Sequence, residues 1–376
     1  MQSLVSPLIN ELSSMEFDIK EVKEKLALVI DSFKETLYED DDTFIEIMKK
    51  NSLAGDDLNR YKHWEWPQGV GLFGLWRMFD VTKDSKYLDI LTRYYEEQLI
   101  IGLPTKNVNT AAPLLTLAYL YEYTLDEKYK DICIEWANWL VNDLPKTKEG
   151  GFQHLTSDTL NEGELWADTL FMTVLFLGKI GKLLGRNDWI EVAKYQFLLH
   201  IKYLADKETG LWYHGWTFKG SHNFAEALWG RGNCWITIAI PEFLDMIECE
   251  PSIKRFLISA LDRQVESMKK YQDPSGMWHT LIDDPTSYVE ASATCGIAYG
   301  ILKAAHMGII DQEYVECAYK AVAPIVKLIN EDGHLSQVSY GTYMGRDTKQ
   351  YYKEVELRTM PYGQALAILF LLELLN

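Results

Sequence analysis

Basic residues are scarce in this chain. Its 376 residues carry 37 Lys+Arg against 55 Asp+Glu, a formal net charge of −18 and a pI near 4.9. Such a balance repels phosphate backbones and anionic bilayers, so neither nucleic acid nor a membrane surface is an expected partner. At face value it also argues against an anionic substrate. Cysteine is scarce too. Cys133, Cys234, Cys249, Cys295 and Cys317 are odd in number and form no CxxC pair. They read as reduced, buried thiols in a reducing compartment. No hydrophobic run is long: the apolar stretch 365–372 is too short to span a bilayer. Met1–Glu16 lacks the basic start and apolar run of a signal peptide. A cytoplasmic location is expected. GxGxxG after a strand, GxxxxGK[ST], HExxH and GxSxG are all missing, and the eight His and five Cys show no metal-ligand spacing. No cofactor and no metal are expected.

What is present is apolar and helical. Hydrophobic residues make up 47 % and aromatics 13 %, including 12 Trp and 22 Tyr, too apolar for a disordered chain. A chain of this length buries roughly 75 % of its unfolded surface and needs no covalent staple. Helical periodicity predicts twelve segments, at 17–37, 69–80, 84–100, 110–124, 126–143, 165–184, 187–206, 226–248, 252–272, 287–306, 311–330 and 361–375. No Pro/Ser-rich linker separates them, so residues 1–376 read as one domain, with 1–16 an N-terminal extension. The segments alternate. Some, such as 84–100 and 126–143, have one charged face. Others, such as Val70–Phe79 and Cys234–Phe243, are apolar all round, as buried helices are. Six buried helices alternating with six amphipathic ones predict an all-α double ring, an (α/α)6 barrel.

A weak repeat supports closure. Gly151-Phe152-Gln153-His154, Gly210 to His214, Gly276 to His279 and Gly333-His334 follow outer helices, with leading glycines 59, 66 and 57 positions apart. The chemistry-bearing residues cluster at the starts of the buried helices. These starts hold Trp64, Trp66, Asn109, Trp166, Asp168, Trp229, Arg231 and Trp235. In a ring they meet at one mouth, where helix N-termini offer unpaired N–H groups and partial positive charge, so an anion can be received there after all. Each residue also has a plainer reading. Asp168 and Asn109 suit N-caps. Arg231 between two glycines needs an anionic partner, which Glu226 or Glu290 could supply internally. Turn histidines such as His154 and His214 are common at surfaces, and the tryptophans could all be core. Aromatic faces beside polar groups are also how proteins grip sugars, and carboxylate acid/base chemistry on a carbohydrate is the most plausible remainder.

Trp64–Gly69, Asn107–Tyr121, Trp166–Phe171, Gly210–Trp216, Trp229–Trp235, Ser339–Gly345 and Met360–Leu366 resemble glycoside hydrolase family 105, the unsaturated rhamnogalacturonyl hydrolases, which are related to the unsaturated glucuronyl hydrolases of family 88. The resemblance runs from about residue 60 to the end, and WADTLFM with NVNTAAPLLTLAYLYEY are its specific strings. It implies an (α/α)6 barrel and removal of a 4,5-unsaturated uronic acid from the non-reducing end of lyase-generated oligosaccharides, with the rhamnogalacturonan disaccharide favoured. It makes Asp168 the acid that protonates C4 and helps water add at C5. Asn109 stands where better-known relatives carry a second Asp, and is expected to position rather than transfer protons. His154, His214, Arg231 and Trp235 are implied as substrate contacts, with Arg231 on the uronate carboxylate. Trp66 and Trp166 are implied as aromatic walls, joined at the mouth by Trp64 and Trp229. The expected partner is a small unsaturated oligosaccharide and the expected state a monomer or weak homodimer. Ulvan- or glycosaminoglycan-type disaccharides, a sugar epimerase and a silent sugar-binding barrel remain open. Stretches 143–163 and 334–356 are expected to shape the neighbouring subsite.

Overall fold

The computed structural model describes residues 17–38, 40, 42–51 and 58–376, so the expected N-terminal extension 1–16 lies outside the described residues. About 61 % of the described residues are helical. Helix α1 (Ile19–Thr36) is capped by Asp18, whose side chain accepts from Lys20 N–H, and buries Val22, Leu26, Val29, Ile30 and Phe33 on one face. A helix absent from the sequence reading follows, α2 (Asp42–Asn51). Then inner and outer helices alternate: α3 (Trp66–Thr82) inner, α4 (Ser85–Ile101) outer, α5 (Val108–Ala111) and α6 (Leu114–Thr124) inner, α7 (Glu127–Asn142) outer. Strand β1 (Glu164–Trp166) leads through a π-helical turn, Leu170–Val174, into inner α8 (Leu175–Leu184), and α9 (Asn187–Leu204) lies outside it. Strand β2 (Gly215–Thr217) precedes inner α10 (Gly230–Met246) and outer α11 (Pro251–Tyr271). Inner α12 (Ala291–His306) is backed by α13 (Val315–Lys320) and α14 (Val322–Leu328). Strand β3 (Val338–Ser339), α15 (Gln350–Lys353), β4 (Leu357–Arg358) and inner α16 (Pro361–Glu373) complete the chain.

The ring closes. Inner α3 packs on α6, α6 on α8, α8 on α10, α10 on α12, α12 on α16, and α16 returns to α3, while α1 covers α16 and meets α14. The inner helices are apolar on every side because both faces are covered: every residue of α16 from Tyr362 to Glu373 is buried. This is the (α/α)6 barrel.

Three predicted helices are broken. The helix expected at 110–124 splits at Pro113, which has no N–H to donate to Asn109 and caps α6 instead. The helix expected at 165–184 begins as β1, paired antiparallel to β2 with Trp166 opposite Gly215, and turns helical only after Asp168. The stretch 311–330 is a 3-10 turn and two short helices. The glycine repeat is a recurring hydrogen-bonded turn. Gly150, Gly210, Gly276 and Gly333 all have positive φ, and their N–H groups bond back to Thr147, Asp206, Asp273 and Asn330. The first left-handed glycine is therefore Gly150, one residue before the expected Gly151.

Candidate active site

The segments that open the inner helices surround a cavity of about 520 Å³. Glu65, Trp66 and Gln68 at the start of α3, Asn109 on α5, Trp166 and Asp168 before α8, Trp229 and Arg231 at the start of α10, and Tyr362 on α16 all line it. Residues 340–344, Arg346, Asp158, Asn161, Lys62 and Arg358 also line it.

Asp168 sits between β1 and the π turn, with its carbonyl accepting from Met172 N–H. Burial pushes its carboxyl up to about 7, and Arg231 pulls the other way. Its Oδ1 has no hydrogen-bond partner in the protein and lies 4.0 Å from Nε2 of His214, which has none either. Burial holds His214 well below the ordinary histidine range, so this contact is not an ion pair near neutral pH. Gly345 N–H donates to the Tyr352 hydroxyl, which also lies 2.7 Å from His214 Nδ1 and 3.8 Å from Met344 Sδ. His154 is likewise neutral, pushed down to about 3 by burial, with Nδ1 2.9 Å from Thr169 Oγ1.

Trp166 is fixed from several sides. Its ring stacks on His154 at 4.3 Å and 9°, and its Nε1 donates to Glu164 at 2.9 Å. Arg346 grips the same carboxylate through both terminal nitrogens, at 2.6 and 3.2 Å. Trp66 stacks on Tyr362 at 4.4 Å. Arg231 is 1 % exposed and sandwiched between Trp229 and Tyr362, each ring centre 4.8 Å away. Its Nη1 donates to Ser339 O at 3.0 Å, and its Nη2 to Thr342 Oγ1 at 2.9 Å. Glu290 lies 3.5 Å from Nη1. The bidentate fork expected for a substrate carboxylate is thus spent inside the protein, largely on residues 339–342, while Nε has no partner. Glu290 is the internal partner; Glu226 is not.

The other expectations divide. Trp66, Asn109, His154, Trp166, Asp168, Trp229 and Arg231 line the cavity. Trp64 does not: it is fully buried, donates from Nε1 to Thr110 O at 2.8 Å and stacks on Tyr94. Trp235 is a core residue as well, wedged between Trp66 and Phe171 behind the wall. His214 stands behind Trp166 and Asp168 rather than in the lining. Neither turn histidine is on the surface. Asn109 is not a cap, because Asn107 caps α5 in a capping box with Thr110. Sequence reading overlooked Glu65, Ser157, Arg346 and Tyr362. Glu65 and Tyr362 stand inside strings that had drawn notice, and a charged residue between two tryptophans was the available signal. Nothing in sequence marks Ser157 or Arg346, which arrive from distant loops. Gln68 Oε1, Asp168 Oδ1, His214 Nε2, Trp229 Nε1 and Arg231 Nε are all buried and unpaired around this one site. Such a concentration signals a place built for a ligand's polar groups.

Relatives agree with this architecture. The chain is 33 % identical over 319 residues to the unsaturated rhamnogalacturonyl hydrolase YesR of Bacillus subtilis (strain 168), covering 83 % of this chain and 90 % of YesR. It is 28 % identical over 291 residues to the unsaturated 3S-rhamnoglycuronyl hydrolase of Alteromonas sp. (strain LOR), covering 73 % and 70 % of the two chains. A crystal structure from Klebsiella pneumoniae, described as a possible member of the GH105 family, superposes with a TM-score of 0.88 at 42 % identity over 100 % of this chain and 98 % of that one. The unsaturated glucuronyl hydrolase of Bacillus sp. GL1 shares the fold, with a TM-score of 0.68 at 16 % identity over 95 % and 97 %. With the model of Glycosyl Hydrolase Family 88 matching residues 41–376, the chain belongs to that family and is a glycoside hydrolase.

Proposed function

We propose that this enzyme removes a 4,5-unsaturated uronic acid from the non-reducing end of lyase-generated oligosaccharides, with the rhamnogalacturonan disaccharide as favoured substrate. The observation that carries the reading is Asp168: a half-buried carboxyl in the cavity wall, raised to about 7, with a buried, unpartnered oxygen. A group poised there can give a proton and take one back near neutral pH. Asp168 protonates C4 of the enol ether. As carboxylate it then accepts a proton from the water whose oxygen bonds to C5. The hemiketal so formed collapses to the 5-keto-4-deoxyuronate and the free aglycone, and Asp168 ends as it began. Because the double bond is hydrated first, no glycosyl-enzyme intermediate and no second nucleophilic carboxylate are required. Asn109 cannot ionise and orients a hydroxyl or the water. Arg231 contributes positive field through its sandwiched guanidinium. The similarity to YesR supports the rhamnogalacturonyl aglycone.

An epimerase would need a histidine acid/base pair, and burial holds both His154 and His214 neutral, far below the range where they could share that work. The test follows the ultraviolet absorbance of the conjugated double bond during incubation with unsaturated disaccharides. Decay is expected with the rhamnogalacturonan product and is expected to fall about 10²–10⁴-fold in Asp168→Asn. Absence of decay on every unsaturated disaccharide overturns the reading. The acid must start protonated, so kcat is expected to fall as pH rises through about 7.

A further inference from the structure

The cavity holds a second buried carboxyl that this chemistry leaves unused. Glu65 is 4 % exposed and lines the cavity between Trp64 and Trp66. Its backbone occupies the N-cap position of α3, yet its side chain makes no capping bond across the first turn. It is turned instead toward α5 and the 152–163 loop, where the Ser157 hydroxyl and the Asn109 side chain hydrogen-bond to it.

The directions of these bonds are determined. Asn107 Oδ1 accepts from the N–H groups of Asn109 and Thr110 at 2.8 and 3.0 Å. Its Nδ2 is therefore the end that reaches Ser157 Oγ, at 2.9 Å. Ser157, having accepted from Asn107, donates its own proton to Glu65 Oε1. Asn107, Ser157 and Asn109 thus form a built seat for one carboxyl in the wall of the cavity.

We propose that Glu65 is a substrate-binding residue whose seated carboxyl hydrogen-bonds the ring hydroxyls of the sugar held against Asp168, with Asn109 completing the contact. The proposal rests on the hydrolase reading and adds a residue to it. Burial pushes Glu65 up to about 8, Asp158 adding to the effect and Ser157 and Asn109 opposing it. Near neutral pH it is a neutral acid, an O–H donor as well as an acceptor. That form suits a hydroxyl and does not repel a uronate. Asp158 lies close enough to raise it further, and Lys62, Asp168, Arg231, Arg346 and Arg358 line the same cavity. Ionisation of Asp168 reads out in kcat, that of Glu65 in KM.

KM for the unsaturated disaccharide is measured from pH 5.5 to 9.5 in wild type, Glu65→Gln and Glu65→Ala. Binding of the same disaccharide is followed by tryptophan fluorescence in Asp168→Asn protein, where turnover is suppressed. Wild-type KM is expected to rise as pH passes about 8, when Glu65 ionises beside an anionic sugar. In Glu65→Gln that alkaline rise is expected to vanish, and in Glu65→Ala KM at pH 6.5 is expected to increase about tenfold, one lost hydrogen bond. A merely structural role would lower Tm and leave the KM–pH profile alone. Wild-type KM at pH 6.5 in Glu65→Ala, or an alkaline rise that survives in Glu65→Gln, overturns the proposal. Should both variants fail to fold, Asn109→Asp keeps Glu65 and adds a carboxylate beside it. The rise must then move to higher pH, and an unmoved rise overturns the proposal. Failure of the hydrolase reading looks different: wild type then neither hydrolyses nor binds any unsaturated disaccharide.

Discussion

Trp166 and Trp64 show how identical residues separate by environment. Trp166 borders the cavity and is held by His154, Glu164 and, through Glu164, Arg346. The Arg346 side chain is 46 % exposed, so its ion pair is worth no more than about 1 kcal/mol of stability. Its value is orientation. Arg346→Met is expected to raise KM severalfold while Tm moves little; a large Tm loss with unchanged KM would refute that role. Trp64 is the opposite case. Its indole satisfies the Thr110 carbonyl near the break before Pro113. Trp64→Phe leaves that buried oxygen unpaired and is expected to cost about 1–3 kcal/mol by denaturant titration, with KM for the disaccharide unchanged. In sequence both are tryptophans near a helix start. Only the three-dimensional path of residues 164–166 and 346 distinguishes wall from core.

Within the elements, breaks in regularity coincide with the site. The π turn Leu170–Val174 begins two residues after Asp168, where an irregular turn can aim a side chain off the helical path. Pro113 and the Asn107 capping box shorten α5 to four residues and leave Asn109 on the cavity side. The strand start at β1 depends on pairing with β2, distant in sequence, so periodicity alone reads a straight helix there. Away from the mouth, Pro241 inside α10 removes the N–H that would bond Thr237 O. There α12 crosses closely: a Cβ on Gly300 would lie 2.3 Å from that oxygen. Gly300→Ala is expected to cost about 1–3 kcal/mol through overpacking and to lower Tm, with kcat/KM preserved, as measured by thermal melts beside the absorbance assay.

Across the whole molecule, charge is sorted by barrel end. The mouth gathers the starts of the inner helices. Near their other ends, Arg77 meets Glu373, His306 meets Glu373 at 2.8 Å, and Tyr299 donates to Glu242, so buried charges there are paired with one another. The mouth keeps several polar atoms unpaired, Asp168 Oδ1 and Gln68 Oε1 among them, and that readiness has a stability cost. Asp168 is raised from 3.8 in the unfolded range to about 7, so the folded state binds the extra proton. Stability from that carboxyl is fully present below about 3.8 and is lost as pH rises through about 7. Asp168→Asn is therefore expected to gain Tm over wild type by an increment that grows between pH 4 and 7 and then levels off. A pH-independent increment would show that burial of the carboxylate is not its cause.

The sequence by itself determined the alternation of apolar and amphipathic helices, and with it the barrel, because a helix apolar on every side has nowhere to go except inside a second ring. It also carried the family strings and placed Asp168, Asn109, Trp66 and Arg231 at helix starts, which a closed ring brings to one mouth. The tertiary structure decided which of those side chains face the cavity, that Arg231 is engaged by residues 339–342, that both histidines are neutral, and that Glu65 is seated by Asn107, Ser157 and Asn109. Those outcomes depend on burial and on hydrogen bonds between residues tens of positions apart, quantities that a periodic pattern along one chain does not contain.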